Sequence, residues 1–203
     1  MHHPPLRRRR SAALHTLRGF TLAEAMVVVA ITSILVAAAA PNLRPMLERN
    51  AVASQANALT AAIRYARSEA ISRGAPVSLC RAASATALTC GAAANDWGTS
   101  GFLVISDGNA LGVIDGDDEV LRRFGAADRG VEVNAARGAG GDGFAAVSWG
   151  AMGDLVARQA GAGMPQFRIR PRAAGDTHLD RRVCLSASGR PRLAQKDDPC
   201  DGN

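Results

Sequence analysis

The residues best suited to chemistry in this chain are arginines near its C-terminal end. Arg168, Arg170 and Arg172 alternate along the sequence, so on a β-strand they share one face. Arg181 and Arg182 follow, and then the run Gly189-Arg190-Pro191-Arg192. Guanidinium forks grip phosphate oxygens two at a time, and a glycine lets backbone come close to what is gripped. A patch neutralising several phosphates would bind DNA without regard to base sequence and lose affinity steeply with salt. The competing reading is a solvated sheet face, or arginines facing the chain's own acids. On charge alone that second reading is the commoner outcome.

Other combinations offer less. Only His178 lies beyond the first nineteen residues, and no two cysteines have the CxxC spacing, so a zinc site is not expected. Asp107, Gly108, Asn109, Gly112, Asp115 and Asp118 partly fit a calcium loop. Leu111 stands where a ligand belongs and Asp118 replaces the bidentate Glu, so a solvated hairpin tip is expected instead. No phosphate-binding or dinucleotide-binding glycine loop is present, and no base is evident for a Ser or Cys nucleophile. The chain therefore reads as a non-enzyme, with no cofactor and no metal.

Behind those residues stand 203 residues of formal charge +6. Residues 1–19 account for +5, through Arg7, Arg8, Arg9, Arg10 and Arg18 with no acid. The body is nearly neutral but polarised: 95–145 carries −5 and 158–196 carries +7. From Phe20 to Ala40 runs an apolar stretch with one charge, Glu24. As a helix it has the length of a bilayer core, and basic residues before it predict a cytoplasmic N-terminus with the remainder translocated. A signal peptide cleaved near Ala38-Ala39-Ala40 is the nearest competitor. An acid inside a membrane helix is costly and by default functional, which argues against it.

The segment Arg18-Gly19-Phe20-Thr21-Leu22-Ala23-Glu24 resembles the type III signal of type IV pilins and pseudopilins. That resemblance implies cleavage after Gly19 by the prepilin peptidase and N-methylation of the new terminus, Phe20. It also implies that Glu24 neutralises the terminal amine of a neighbouring subunit in a filament. The leader 1–19 would carry away His2, His3 and His15. The product would be a single-pass inner-membrane protein with its head in the periplasm, built with other major and minor pilins into a pilus or pseudopilus.

Pro41 and Pro45 should kink or loosen the helix beyond the apolar run. After them Val52, Ala56, Leu59, Ile63, Ala66 and Ala70 form one apolar stripe, with Arg49, Asn57, Thr60, Arg64 and Arg67 on other faces. Gly74 and Pro76 supply the stop. The remainder reads as short strands at 76–80, 101–105, 119–124, 131–133, 144–149, 166–170 and 182–186, the last turning at Ser188-Gly189 into 190–193. Segments 135–143 and 157–163 are Gly/Ala-rich and read as mobile loops. The expected architecture is α+β: a long N-terminal helix, half transmembrane (20–40) and half amphipathic (41–74), packed on an antiparallel β-sheet head (75–203). In a translocated domain Cys80, Cys90, Cys184 and Cys200 read as disulfides. Three pairings are possible, of which Cys80–Cys90 with Cys184–Cys200 is the sequence-local choice.

Ala58 to Ile71, Pro76 to Cys80, Trp97-Gly98-Thr99-Ser100-Gly101-Phe102 and Ser188-Gly189-Arg190 are similar to the FimT/GspH group of minor pilins and pseudopilins, while 125–165 match nothing recognisable. Gly189-Arg190-Pro191-Arg192 matches the GRxR motif of FimT-type minor pilins. There the motif implies capture of double-stranded DNA for natural transformation, with Arg190 and Arg192 as contacts and Gly189 shaping the turn. The rivals are a GspH-like pseudopilin of type II secretion and a FimU-like pilin that primes assembly, neither using the arginines on DNA.

Overall fold

The computed structural model describes residues 19–108, 110–138, 141–156, 163–173, 177–195, 198 and 200, without the side chains of 39–42, 44 and 177. The leader residues 1–18, Asn109 and most of the expected loop at 157–163 lie outside the described residues. The chain divides into two compact units, Met1–Leu43 and Arg44–Asn203.

One helix, α1, runs from Leu22 to Arg73. Thr21 caps it: the Glu24 amide donates to Thr21 Oγ1 at 3.2 Å, and Glu24 sits in the first turn where the helix dipole favours an acid. In the first unit the helix carries one charge, Glu24, and exposes large apolar side chains such as Leu22, Ile34 and Val36. Thr32 and Ser33 turn their hydroxyls back onto the carbonyls of Val28 and Val29, so both are satisfied within the helix. Among the described residues no helix is long and apolar enough to cross a membrane. The expected loosening at Pro41 and Pro45 does not end the helix, and the boundary between the units falls between them.

In the second unit α1 buries Val52, Ala56, Leu59, Ile63, Ala66 and Ala70, the stripe set by the periodicity. Thr60, expected on another face, is buried as well; its hydroxyl donates to the Ala56 carbonyl at 2.8 Å and so needs no solvent. The helix stops at Gly74, whose φ of +61° reverses the chain before Pro76.

Eight strands follow: β1 Val77–Arg81, β2 Phe102–Ser106, β3 Glu119–Phe124, β4 Val131–Arg137, β5 Ala146–Trp149, β6 Pro165–Pro171, β7 Arg181–Leu185 and β8 Pro191–Gln195. They form two antiparallel four-stranded sheets, ordered β3-β2-β1-β5 and β4-β6-β7-β8. β4 continues to Arg137, into the segment expected to be a loop, because all seven of its residues pair with β6. Phe144, expected to open β5, makes only an isolated bridge to Ala94. The helix stripe, Val77 and Leu79 of β1, Phe167 and Ile169 of β6, and Val183 and Leu185 of β7 share one core. Trp97 fills its centre, edge-on to Phe167 at 5.0 Å and Phe144 at 5.4 Å. With so few aromatics, the small side chains of Ala56, Ala62, Ala66 and Ala70 let backbones approach and close the packing. Disulfides join Cys80 to Cys90 and Cys184 to Cys200, with Cα separations of 5.6 and 5.4 Å.

Candidate nucleic-acid interface

Alternation along β6 turns Phe167 and Ile169 inward and leaves Arg168 and Arg170 on the opposite face. Register carries this face across the sheet. Arg182 of β7 lies opposite Arg168, and Arg192 of β8 lies opposite Cys184, two residues further along β7. Arg168, Arg170, Arg182 and Arg192 therefore share one outward face. Arg172 is exposed just beyond β6, and Arg181 donates to the Asp180 carbonyl at 3.3 Å.

Three of these arginines are engaged by the chain's own acids. Arg168 donates from Nε at 2.9 Å to Asp180, a carboxylate only 2% exposed. That acid needs its counterion, since an unpaired buried charge is costly, so Arg168 has a structural task. Arg170 holds Glu132 from both Nε and Nη2 at 2.8 Å, joining the basic segment to the acidic one. Arg192 meets Asp198 at 2.9 Å, a pair half exposed on both sides and hence weak. Arg172, Arg182 and Arg190 have no carboxylate partner among the described residues.

The Gly189-Arg190-Pro191-Arg192 run forms the β7–β8 connection. The Ser186 amide donates to the Arg190 carbonyl at 3.1 Å and the Gly189 amide to the Ser186 carbonyl at 2.9 Å, closing the turn. Gly189 adopts φ of +71° and is buried against Trp149 of β5. A Cβ there would overlap the Gly153 carbonyl oxygen and lie 2.5 Å from Trp149 Cδ1, so only glycine fits. Trp149 Nε1 donates to the Gly189 carbonyl at 3.0 Å. Arg67 of α1 donates from Nε to the carbonyls of Gly153 at 2.9 Å and Ser188 at 3.2 Å. Pro191 opens the edge strand β8, a position that tolerates a missing amide hydrogen.

Asp107 and Asp118 of the partial calcium motif accept hydrogen bonds from backbone amides. Asp107 is buried; one oxygen accepts from the Gly112 amide at 2.5 Å, and Oδ1 has no hydrogen-bond partner among the described residues. Burial pushes its carboxyl above the ordinary value, with the charges of Asp118 and Asp115 adding to the rise and hydrogen bonds from Ser78 and the Gly112 amide opposing it. Asp118 accepts from the amides of Gly108 and Asp115 at 3.0 Å each. No group of three His, Cys, Asp or Glu among the described residues could hold a metal ion.

The family described as "Type II transport protein GspH" matches residues 55–189, from within α1 to the β7–β8 turn. The chain belongs to the GspH family. A second match, the "Prokaryotic N-terminal methylation motif", covers residues 17–40. Two crystal structures of the type IV minor pilin FimU of Pseudomonas aeruginosa (strain PAO1) share the fold. One, at 21% identity and a TM-score of 0.50, covers 73% of this chain and 98% of that chain. The other, at 24% identity and a TM-score of 0.51, covers 77% and 100%. No curated protein matches.

This GspH-family chain has the pilin fold, a long N-terminal helix with antiparallel sheets. It is a minor pilin or pseudopilin of a type IV pilus or a type II secretion system, a structural subunit and not an enzyme. The family implies processing by the prepilin peptidase, inner-membrane anchoring and assembly with other pilins. The GspH match ends at Gly189, so Arg190 and Arg192 lie just beyond it. Three contributors to the interface are absent from the sequence expectation: Asp180, Trp149 in its donor role, and Arg67. Each acts on a residue at least 12 positions away, a distance that only strand register and tertiary packing close.

Proposed function

We propose that this chain is a minor pilin of a type IV pilus whose head binds double-stranded DNA without sequence preference, for uptake in natural transformation. The observation that carries the reading is Arg190: exposed, without a carboxylate partner among the described residues, and placed on a turn whose glycine is buried. Arg192 lies two residues on with a weak, half-exposed partner, and Arg182 and Arg172 add cationic charge nearby. Arg168, Arg170 and Arg181 contribute to the field of this sheet, though the first two also hold acids. Phosphate would compete for these groups chiefly at low salt.

At the other end of the chain, the same reading has 1–19 as a leader cut after Gly19 and Phe20 as the methylated terminus. Glu24 is the acid that meets a neighbour's amine in the filament, 20–40 is the membrane and filament-core segment, 41–74 the amphipathic half and 75–203 the periplasmic head. A second reading, a secretion pseudopilin or an assembly pilin without DNA, is favoured by the ion pairs at Arg168, Arg170 and Arg192. The two part in one experiment: DNA binding by the full chain in detergent across a salt series. Arg190→Gln combined with Arg192→Gln should abolish the shift at moderate salt and reduce the slope of log K against log salt by about 2. Binding unchanged by the double substitution would defeat the DNA site.

A further inference from the structure

We infer that Trp149 and Arg67 are positioning residues that hold the Gly189–Arg190 turn in its phosphate-binding shape, so that DNA affinity depends on two side chains that do not touch DNA. The inference rests on the functional reading above and extends it to residues outside the motif.

The turn has five residues, Ser186 to Arg190, and a long arginine at its end. Left to its own hydrogen bonds, such a turn leaves Arg190 free to wander, and ordering it on DNA would cost conformational entropy. Here the turn is tied at three successive carbonyls. Ala187 O accepts from the Leu155 amide at 3.1 Å, Ser188 O from Arg67 Nε at 3.2 Å, and Gly189 O from Trp149 Nε1 at 3.0 Å. The same Arg67 Nε also holds Gly153 O, so the helix fixes the turn and its neighbouring 150–153 loop together. Trp149 is fully buried and its ring faces the bare Cα of Gly189, which leaves the turn no inward movement. The carbonyls of the turn are thus drawn inward, and the exposed side chain of Arg190 springs from a fixed base. Neither donor is available for phosphate in this arrangement: Trp149 is buried, and the Arg67 Nε hydrogen is occupied.

Trp149→Phe tests this, because it removes the Nε1 donor while keeping an aromatic side chain and changing no charge. In the full chain in detergent, hydrogen exchange at the Gly189 amide should quicken about three- to tenfold, the worth of one hydrogen bond. Affinity for a short random-sequence duplex should fall by a similar factor. In an Arg190→Gln background Trp149→Phe should cost no further affinity, although it lowers Tm equally in both backgrounds. That non-additivity separates positioning from general weakening of the head. Arg67→Lys, which retains the charge but not the fork, should repeat the pattern if Trp149→Phe fails to fold. An equal loss of affinity in both backgrounds, or unaltered exchange at Gly189, overturns the inference. A wild-type chain that binds no duplex at low salt defeats the DNA reading instead, and the exchange result then still decides whether the turn is pinned.

Discussion

Replacing Gly189 with alanine should be far more damaging than the same change at Gly74, although both glycines have left-handed backbone. Their φ values are +71° and +61°, so each substitution incurs the left-handed penalty of roughly 1–2 kcal/mol. Beyond that the two sites part. A Cβ on Gly74 meets nothing within 4 Å. A Cβ on Gly189 overlaps the Gly153 carbonyl oxygen and lies 2.5 and 2.6 Å from Cδ1 and Nε1 of a Trp149 ring that is itself fully buried. Neither obstacle is the free end of a flexible side chain, so the turn or the ring must move, adding about 1–3 kcal/mol. The total for Gly189→Ala is roughly 2–5 kcal/mol, and in a chain of this size each kcal/mol lowers Tm by about 2–4 °C. Thermal melts of the full chain in detergent, followed by tryptophan fluorescence, should therefore show Gly189→Ala several degrees below Gly74→Ala. Equal melting temperatures would refute the reasoning, because the turn would then not be packed against Trp149 at all.

Asp107 should make stability fall as pH rises. Burial holds its carboxyl above the ordinary aspartate value, so the folded state binds the proton more tightly. The stabilisation is fully present below that unfolded value and is lost as pH climbs through the raised folded one. Asp107→Asn should melt above the wild type at neutral pH with the gap closing towards pH 3.5, and a gap independent of pH would contradict this. Asp198→Asn removes the ion pair between Asp198 and Arg192. If Arg192 contacts DNA, the substitution should raise affinity a few-fold at low salt and steepen the salt slope, and a duplex titration that shows neither removes Arg192 from the interface.

Much of the scaffold was legible because it rests on periodicity. The spacing of Val52, Ala56, Leu59, Ile63, Ala66 and Ala70 admits one buried face, and all six are buried. Gly74 and Pro76 mark the helix end by backbone chemistry that any context would respect. Thr60 escaped because a threonine can satisfy its hydroxyl on the preceding turn, which polarity alone does not register. The arginine face was half legible. Alternation places Arg168 and Arg170 on one side of β6, but Asp180 and Glu132 reach them through a bend and a strand pairing that local pattern does not contain. Gly189 was expected to shape a turn, yet it is confined by the Gly153 carbonyl and by an indole 40 residues earlier. Thr21 and Glu24 have the spacing of a helix cap as well as of a processing signal, and one segment can satisfy both.

Arg67 gives the turn a mechanical meaning. A polymer held at Arg190 and pulled would load the head through that turn. Covalently, the force would have to travel back along β7 and the strands before it to reach α1. The Arg67 guanidinium offers a shorter path, from the carbonyls of Ser188 and Gly153 directly into the helix. Tension would then be shared between the sheet's hydrogen-bond ladder and the helix, and the turn would strain last where it is tied most often.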